Sequence, residues 1–309
     1  MSWQAFVEPI RSDKTSGAAE MVRKAAAAVL AWIDRSEPMS RLDWKAELLA
    51  FARALYDAQP SMATLFNLAN DIALVIESTA TLLEAQRRIR EATQGFLHEL
   101  EQSQGQLVVA ALPLLPAGAR ILTFSYSSSV LAVLLEAWAR DASLRVFCTE
   151  ARPMLEGRHL AQRLADAGMP VQFGIDAAIA TFASQVSLVL MGADSITRDG
   201  VVNKLGTTVT ALAAHAAGVP CYVICGRQKW LPGAAPAPDF RQLKPPEEVW
   251  PDPPPRVRVW NGYFERTPIE RFSGIIGETG LLVPRDLMPQ LASMPVAQAW
   301  HGATEPARE

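Results

Sequence analysis

The sequence has few of the residues that build disulfide frameworks or metal sites. Its 309 residues include three cysteines and four histidines. The cysteines (Cys148, Cys221 and Cys225) each fall in or beside a predicted strand. An odd number in such positions is typical of reduced, buried thiols in a cytosolic protein. Cys221 and Cys225 have a spacing found in metal sites, but there is no second cysteine pair, so we expect no metal.

Charge and hydropathy exclude two further classes of protein. The formal net charge is −3, which gives no overall attraction to nucleic acid or to an anionic membrane. The first residues lack the apolar core of a secretory signal, and the apolar stretch 107–122 is broken by Pro113 and Pro116, so it does not span a bilayer. We therefore expect a cytoplasmic protein with no membrane partner, no direct nucleic-acid partner, and only local binding of any anion.

Hydrophobic periodicity divides the chain into two regions. Up to about Pro113 the apolar residues recur at helical spacing, which predicts a helical N-terminal domain over residues 1–115. From Arg120 onwards short apolar runs alternate with helical segments. This alternation predicts a Rossmann-like α/β domain over residues 116–300, with a parallel sheet covered by helices on both faces. Residues 231–256 are a proline-rich loop whose order the composition does not decide, and residues 301–309 are a polar tail.

Polar residues follow the predicted strands, which lie at 121–124, 144–149, 171–175, 186–191 and 221–225, with a final strand and turn within 257–268. Because parallel strands end at one edge of the sheet, these residues should lie together. They are Ser125, Ser127 and Ser128 after the first strand, Arg152 and Gly157 after the second, Asp194 after the fourth, and Lys229 after the fifth.

Such a set of side chains suits a phosphorylated, hydroxyl-rich small molecule. Serine hydroxyls and helix N–H groups satisfy phosphate oxygens, arginine binds them in a bidentate manner, and carboxylates accept hydrogen bonds from sugar hydroxyls. A structural interpretation stands beside this one. Ser127, Ser128 and Asp176 are also good helix caps, and Arg152 beside Glu150 and Glu156 fits an ordinary salt-bridge cluster.

The most informative segment is 186–208, where an apolar run ends at Gly192-Ala193-Asp194 and a polar loop follows. Asp194 stands at a strand end, where ligand-contacting carboxylates occur in open α/β sheets. We interpret residues 203–207 as the start of a helix. Its N–H groups, its dipole and Lys204 would together suit an anion.

Several segments carry a resemblance to a known family. They are DKTSGAAE (13–20), AQPSMATLFNLAN (58–70), ILTFSYSSSV (121–130), TEARPMLEGRHLAQRLADAGMPV (149–171), MGADSITRDGVVNKLGT (191–207) and NGYFERTPIERFSGIIGETG (261–280). Together they resemble the alpha, beta and delta subunits of translation initiation factor 2B. That family also includes methylthioribose-1-phosphate isomerase and ribose-1,5-bisphosphate isomerase. The similarity extends over most of the chain.

The resemblance implies roles for particular residues. The family's isomerases convert an aldose 1-phosphate into a ketose 1-phosphate without a metal or nucleotide cofactor, using a cysteine after the first strand and the aspartate of the GAD motif. Asp194 matches that aspartate, whereas Ser125 stands in place of the cysteine. The positions that match substrate- or phosphate-binding motifs are Lys14, Ser16 and Gly17, then Arg152 and Gly157, and finally Asn203 and Lys204.

The missing thiol leaves two hypotheses open. A serine hydroxyl is a far weaker acid than a thiol and needs an adjacent base. The first hypothesis is therefore a regulatory or binding protein that keeps a pocket for a phosphorylated sugar or nucleotide. The second is an aldose–ketose isomerase in which Asp194 acts as acid/base and Ser125 assists; Cys148 is expected to be a buried strand residue. The resemblance also implies a homodimer through the α/β domain, and leaves membership of a translation factor assembly open.

Overall fold

The computed structural model describes residues 2–13, 16–35 and 43–301. The chain forms two compact units. The helical unit comprises the described residues of Met1–Gln102, Gln228–Asp239 and Met288–Glu309. The α/β unit comprises Ser103–Arg227 and Phe240–Leu287. The polar tail 302–309 lies outside the described residues.

Helices fill the described part of the predicted helical region, but the helical unit also contains residues 228–239 and 288–301, which were predicted to belong to the α/β domain. The described helices of the predicted region are α1 (Gln4–Arg11), α2 (Ala18–Arg35), α3 (Trp44–Ala58), α4 (Ala63–Ser78) and α5 (Leu82–Ala111), the last of which continues into the α/β unit. Helix α3 ends before Gln59, whose φ of −146° and ψ of 75° are not helical, because the following Pro60 disfavours the helical conformation of the residue before it.

The core of the helical unit brings together both ends of the described chain. The Asn70 side chain donates to the carbonyl of Pro295 at 3.0 Å and accepts from the N–H of Ala297 at 2.9 Å. The indole of Trp300 is buried and packs against the rings of Tyr56 and Phe66, with centroids 5.9 and 5.2 Å away. The unit is therefore closed by residues more than 200 positions from α4.

The α/β unit contains a mostly parallel sheet of seven strands. Their spatial order is β10-β9-β7-β4-β1-β2-β3, with β9–β10 the antiparallel pair. The strands are β1 (Arg120–Thr123), β2 (Arg145–Thr149), β3 (Val171–Gly174), β4 (Leu188–Met191), β7 (Cys221–Ile224), β9 (Gly274–Gly277) and β10 (Gly280–Leu282). All five strands predicted before residue 226 are confirmed, and β4 is buried at every position, as expected for a sheet with two covered faces.

Helices follow most of these strands. They are α6 (Ser128–Arg140), α7 (Glu156–Asp166), α8 (Ile179–Ala183), α9 (Thr207–Ala216) and α10 (Pro284–Ser293). Helices α6 and α7 pack against each other, as do α8 and α9. Ser127 caps α6 by accepting from the N–H of Val130 at 3.4 Å, as its helix-cap interpretation predicts.

A second, antiparallel sheet of three strands was not predicted. It consists of β5 (Ser195–Thr197), β6 (Gly200–Lys204) and β8 (Phe264–Thr267), with β6 in the middle. The final strand expected within 257–268 is thus β8 and belongs to this small sheet. Within the described ranges, no helix has the length and apolar character needed to cross a membrane.

Candidate functional site

The candidate site lies where β1, β2 and β4 end. Ser125 follows β1 in the left-handed backbone conformation, with φ of 63°, and is 7% exposed. Its hydroxyl has no hydrogen-bond partner among the residues that the structure describes. A serine becomes a nucleophile or acid through an adjacent base, so nothing in the described chain activates Ser125.

The start of α6 lies against the end of β4. A Cβ added at Gly192 would lie 2.5 Å from Ser127 Oγ and 2.6 Å from Ser127 Cβ, so only glycine permits this approach. Ser128 is the first residue of α6. The close approach places Ser127 beside the loop that leads to Asp194, so two of the predicted strand ends do meet.

Asp194 opens the small sheet. It is half-buried, and its backbone N–H donates to the carbonyl of Val202 at 3.0 Å. This bond joins the end of β4 to β6. The position of Asp194 is therefore fixed by both sheets of the α/β unit.

The prediction that residues 203 and 204 begin a helix is wrong. Asn203 and Lys204 are the last residues of β6, and α9 begins at Thr207 after Gly206, whose φ is 111°. The Asn203 side chain donates to Thr207 Oγ1 at 2.9 Å. Pairing with β8 explains the difference, since Asn203 lies opposite Glu265 in the ladder, and that partner is distant in sequence.

The N-terminus of α9 already holds a carboxylate. Glu265 Oε1 accepts from the backbone N–H of Gly206 at 2.6 Å and of Thr208 at 3.0 Å. Helix N-termini attract anions through their N–H groups and dipole. Here Glu265 occupies the position that the sequence suggested for an external anion.

Lys204 forms a buried ion pair. Its ammonium lies 2.7 Å from Glu156 Oε1 and 4.8 Å from the centre of the Tyr263 ring, and its side chain is 4% exposed. The Glu156 side chain is 31% exposed, but its second oxygen, Oε2, is buried and has no hydrogen-bond partner in the described part of the chain.

The loop after β2, which carries Arg152, is held by Asp176 and by the start of α7. The Asp176 carboxylate accepts from the N–H groups of Ala151 and Arg152 at 2.9 and 2.8 Å, so Asp176 braces this loop. Gly157 allows α7 to begin against β2, because a Cβ there would lie 1.7 Å from the Thr149 carbonyl oxygen. These contacts position the loop that carries Arg152.

The interpretation of Arg152 as part of a salt bridge with Glu150 and Glu156 is wrong. The Arg152 guanidinium instead donates to the carbonyl of Val249 at 3.2 Å. Glu150 pairs with Arg158 at 3.1 Å, and Glu156 pairs with Lys204. The three side chains therefore have separate partners.

Part of the proline-rich segment is held by a tyrosine and an asparagine. The Tyr263 hydroxyl donates to the Glu248 carboxylate and lies 2.9 Å from Met154 Sδ. The side chain of Asn261 donates to the same carboxylate at 3.0 Å. Burial, followed by the hydrogen bond to Glu248, raises the pKa of Tyr263 above its ordinary value. Glu248 of the proline-rich segment is thus held by two residues that precede β8.

Cys148 does not replace the missing thiol. It is fully buried in β2, and burial raises its pKa to about 12. The thiolate is the reactive form of cysteine, so this side chain is inert at neutral pH. Its expected role as a buried strand residue is confirmed.

The remaining predicted site residues belong to the helical unit. Lys14 lies outside the described residues. The N–H of Ser16 donates to Asp13 Oδ1 at 2.9 Å and its hydroxyl accepts from Lys24 at 2.8 Å. The Gly17 carbonyl accepts from the N–H of Met21 in α2, and Lys229 ends a short 3₁₀ turn.

The structure adds residues that the sequence reasoning did not select, namely Glu156, Glu248, Tyr263 and Glu265. Glu156 was considered only as a salt-bridge partner of Arg152, and not as a partner of Lys204. The other three act through β8 and the preceding loop, and no local pattern links them to α9 or Lys204. Within the described ranges, no group of three or more histidine, cysteine or acidic side chains could hold a metal ion.

Comparisons with known proteins agree with this architecture. The sequence matches the initiation factor 2 subunit family over residues 14–284. A Pyrococcus furiosus protein described as translation initiation factor eIF-2B subunit 2-like is 32% identical over 289 residues, covering 92% of this chain and 97% of that protein. Ribose 1,5-bisphosphate isomerase of Thermococcus kodakarensis is 28% identical over 290 residues, covering 90% of each chain. The structure of Pyrococcus horikoshii translation initiation factor eIF-2B superposes with a TM-score of 0.79 at 28% identity, covering 92% of this chain and 98% of that one.

Proposed function

Because the chain belongs to the initiation factor 2 subunit family, we propose that it binds a phosphorylated sugar or nucleotide at the carboxyl edge of its parallel sheet without isomerising it. The observation that carries the proposal is Ser125, a 7% exposed residue whose hydroxyl has no base within hydrogen-bond distance in the described chain. A proton-transfer step needs an acid or base whose pKa suits neutral pH. Ser125 lacks that property, and Cys148 has a pKa of about 12.

The groups that would hold a ligand are nevertheless present. Asp194 lies half-buried at the end of β4, and the ion pair of Lys204 with Glu156 leaves one buried carboxylate oxygen without a donor. Carboxylates at such positions accept hydrogen bonds from sugar hydroxyls. A buried acceptor without a donor is costly, so a ligand hydroxyl that donates to Glu156 Oε2 would gain this hydrogen bond.

A second candidate function is supported by several relatives that are ribose 1,5-bisphosphate isomerases. A relative similar over 90% of this chain is a ribose 1,5-bisphosphate isomerase, and the family resemblance matches Asp194 to the aspartate that the isomerases use. In this alternative Asp194 moves the proton and Ser125 assists. The two candidates differ in whether a ketose product forms.

The test combines a binding measurement with product analysis. The purified protein is titrated calorimetrically with ribose 1,5-bisphosphate, methylthioribose 1-phosphate and AMP, and each mixture is examined by NMR for a ketose. We expect binding of at least one compound, no product, and a loss of affinity of about tenfold in Asp194→Asn, since one hydrogen bond to a charged acceptor is weakened.

The matched control is Asp199→Asn, which changes the same residue type at the exposed turn between β5 and β6. It should leave affinity unchanged. Ketose formation that Asp194→Asn abolishes would establish the isomerase instead. Absence of binding by all three compounds would contradict the binding function.

We also propose that two copies associate through their α/β units, as the family resemblance suggests. Light scattering at several protein concentrations tests this, because a dimer gives twice the mass of the 309-residue chain. A monomer at every concentration would contradict it.

A further inference from the structure

Two internal carboxylates satisfy the positive groups nearest to the end of β6. Glu265 takes the N–H groups at the start of α9, at 2.6 and 3.0 Å, and Glu156 takes the ammonium of Lys204 at 2.7 Å. Both groups would otherwise suit a phosphate. Each one is already neutralised within the α/β unit.

Lys204 has little freedom to turn towards a ligand. Its side chain is 4% exposed and lies between the Glu156 carboxylate and the face of the Tyr263 ring. A phosphate placed beside Lys204 would also lie beside the Glu156 carboxylate, which is 2.7 Å from the ammonium. Like charges brought together away from water are strongly unfavourable.

Glu156 offers an acceptor and no donor. Its Oε1 is bound to Lys204, whereas its Oε2 is buried without a partner in the described residues. A deprotonated carboxylate can only accept hydrogen bonds, and an ionised phosphate likewise presents acceptors. The hydroxyl of a sugar is a donor, and it would satisfy Oε2.

We propose that Glu156 makes this end of the site select a hydroxyl group and reject a phosphate. The ligand is then a monophosphorylated sugar or nucleoside, with a sugar hydroxyl at Glu156 Oε2 and its single phosphate away from this residue. This inference rests on the proposed binding function, and it specifies which phosphorylated compounds are accepted. Glu156 is thus a specificity-determining residue.

The experiment compares two ligands that differ by one phosphate. The affinities of ribose 5-phosphate and ribose 1,5-bisphosphate are measured by calorimetry for the unmodified protein, for Glu156→Gln and for Glu150→Gln. The last is a matched control, because Glu150 is a nearby acid of the same size whose partner is the exposed Arg158.

We expect the unmodified protein to prefer the monophosphate by at least tenfold, roughly the effect of one unfavourable charge contact. Glu156→Gln should reduce that preference by about tenfold or more, because it removes the repelling charge and frees Lys204. Glu150→Gln should leave the preference unchanged. Should Glu156→Gln fail to fold, the double variant Glu156→Gln, Lys204→Gln removes both charges and should show a smaller reduction, because Lys204 no longer attracts the second phosphate.

The outcomes separate this inference from the proposed function. If ribose 5-phosphate binds but the preference is absent, or is the same in Glu156→Gln as in the control, then Glu156 does not set specificity and the binding function stands. If neither ribose phosphate binds to any folded variant, this inference is overturned, and the binding function is overturned as well only if AMP and methylthioribose 1-phosphate also fail to bind.

Discussion

The carboxylate of Glu265 should be the main stabiliser of the start of α9. In Glu265→Ala the helix loses two hydrogen bonds to a charged acceptor. Each contributes about 1.5–3 kcal/mol when measured alone, and the two contributions are not fully additive because they share one oxygen. The helix also loses a favourable interaction with the helix dipole of ~0.3–1 kcal/mol. Because the site is half-buried, water replaces part of this loss. We therefore expect a net destabilisation of ~2–4 kcal/mol.

The matched variant Glu265→Gln separates the hydrogen bonds from the charge. It keeps an acceptor oxygen and loses the negative charge, so its cost should be ~1 kcal/mol. For a domain of this size, the alanine variant should lower Tm by ~4–16 °C. The control is Glu270→Ala, an exposed acid in the same unit, which should change stability by less than about 0.5 kcal/mol.

The measurement is urea unfolding, monitored by far-ultraviolet circular dichroism. The dependence of the unfolding free energy on urea concentration should be the same in all variants. If Glu265→Ala lowers the midpoint no further than Glu270→Ala, the carboxylate does not hold the helix start. In that case the α9 N–H groups would be satisfied by water and would be available to a phosphate.

Three further predictions concern other parts of the chain. Burial, with a smaller effect of the neighbouring Glu99, raises the pKa of Asp71 to about 7. Because the folded protein therefore binds this proton more tightly than the unfolded chain, the free energy of unfolding should fall as pH rises from about 4 through 7. Asp71→Asn should then raise Tm more at pH 8 than at pH 5. Gly157→Ala should lower the free energy of chemical unfolding by more than ~3 kcal/mol, because its Cβ would lie 1.7 Å from the Thr149 carbonyl oxygen. The control is Gly105→Ala, which lies in open space within α5 and should raise that free energy by ~0.5–1 kcal/mol. Cys148 should resist iodoacetamide at pH 8 in the folded protein and react after unfolding, as peptide mapping will show; modification of the folded protein would contradict its burial.

The parallel sheet could be predicted because each strand is a short apolar run bounded by turn residues. Residues 186–191 illustrate this, since an uninterrupted apolar run of strand length is typical of a buried parallel strand. Strand β9 was missed for the converse reason. Its sequence, Gly274–Gly277, is glycine at both ends, and glycine weakens a local strand signal.

The site was only partly predictable. Asp194 and the serines after β1 follow from their positions at strand ends. The strand conformation of residues 203–204 could not be predicted, because a polar pair before a glycine resembles a helix start. This strand forms by pairing with β8, in which Glu265 lies opposite Asn203. The pairing of Lys204 with Glu156 joins residues 48 positions apart, so periodicity in a single sequence gives no sign of it.

The hydrogen bonds between Asn70 and residues 295 and 297 have a consequence for biosynthesis. Domains generally fold in order as they leave the ribosome, but this helical unit is the first to be translated and among the last to be finished. Until Trp300 emerges, the rings of Tyr56 and Phe66 lack the indole that packs against them. A nascent chain of 290 residues would therefore expose an unfilled apolar surface to chaperones and proteases, although all the helices from α1 to α5 had already been made.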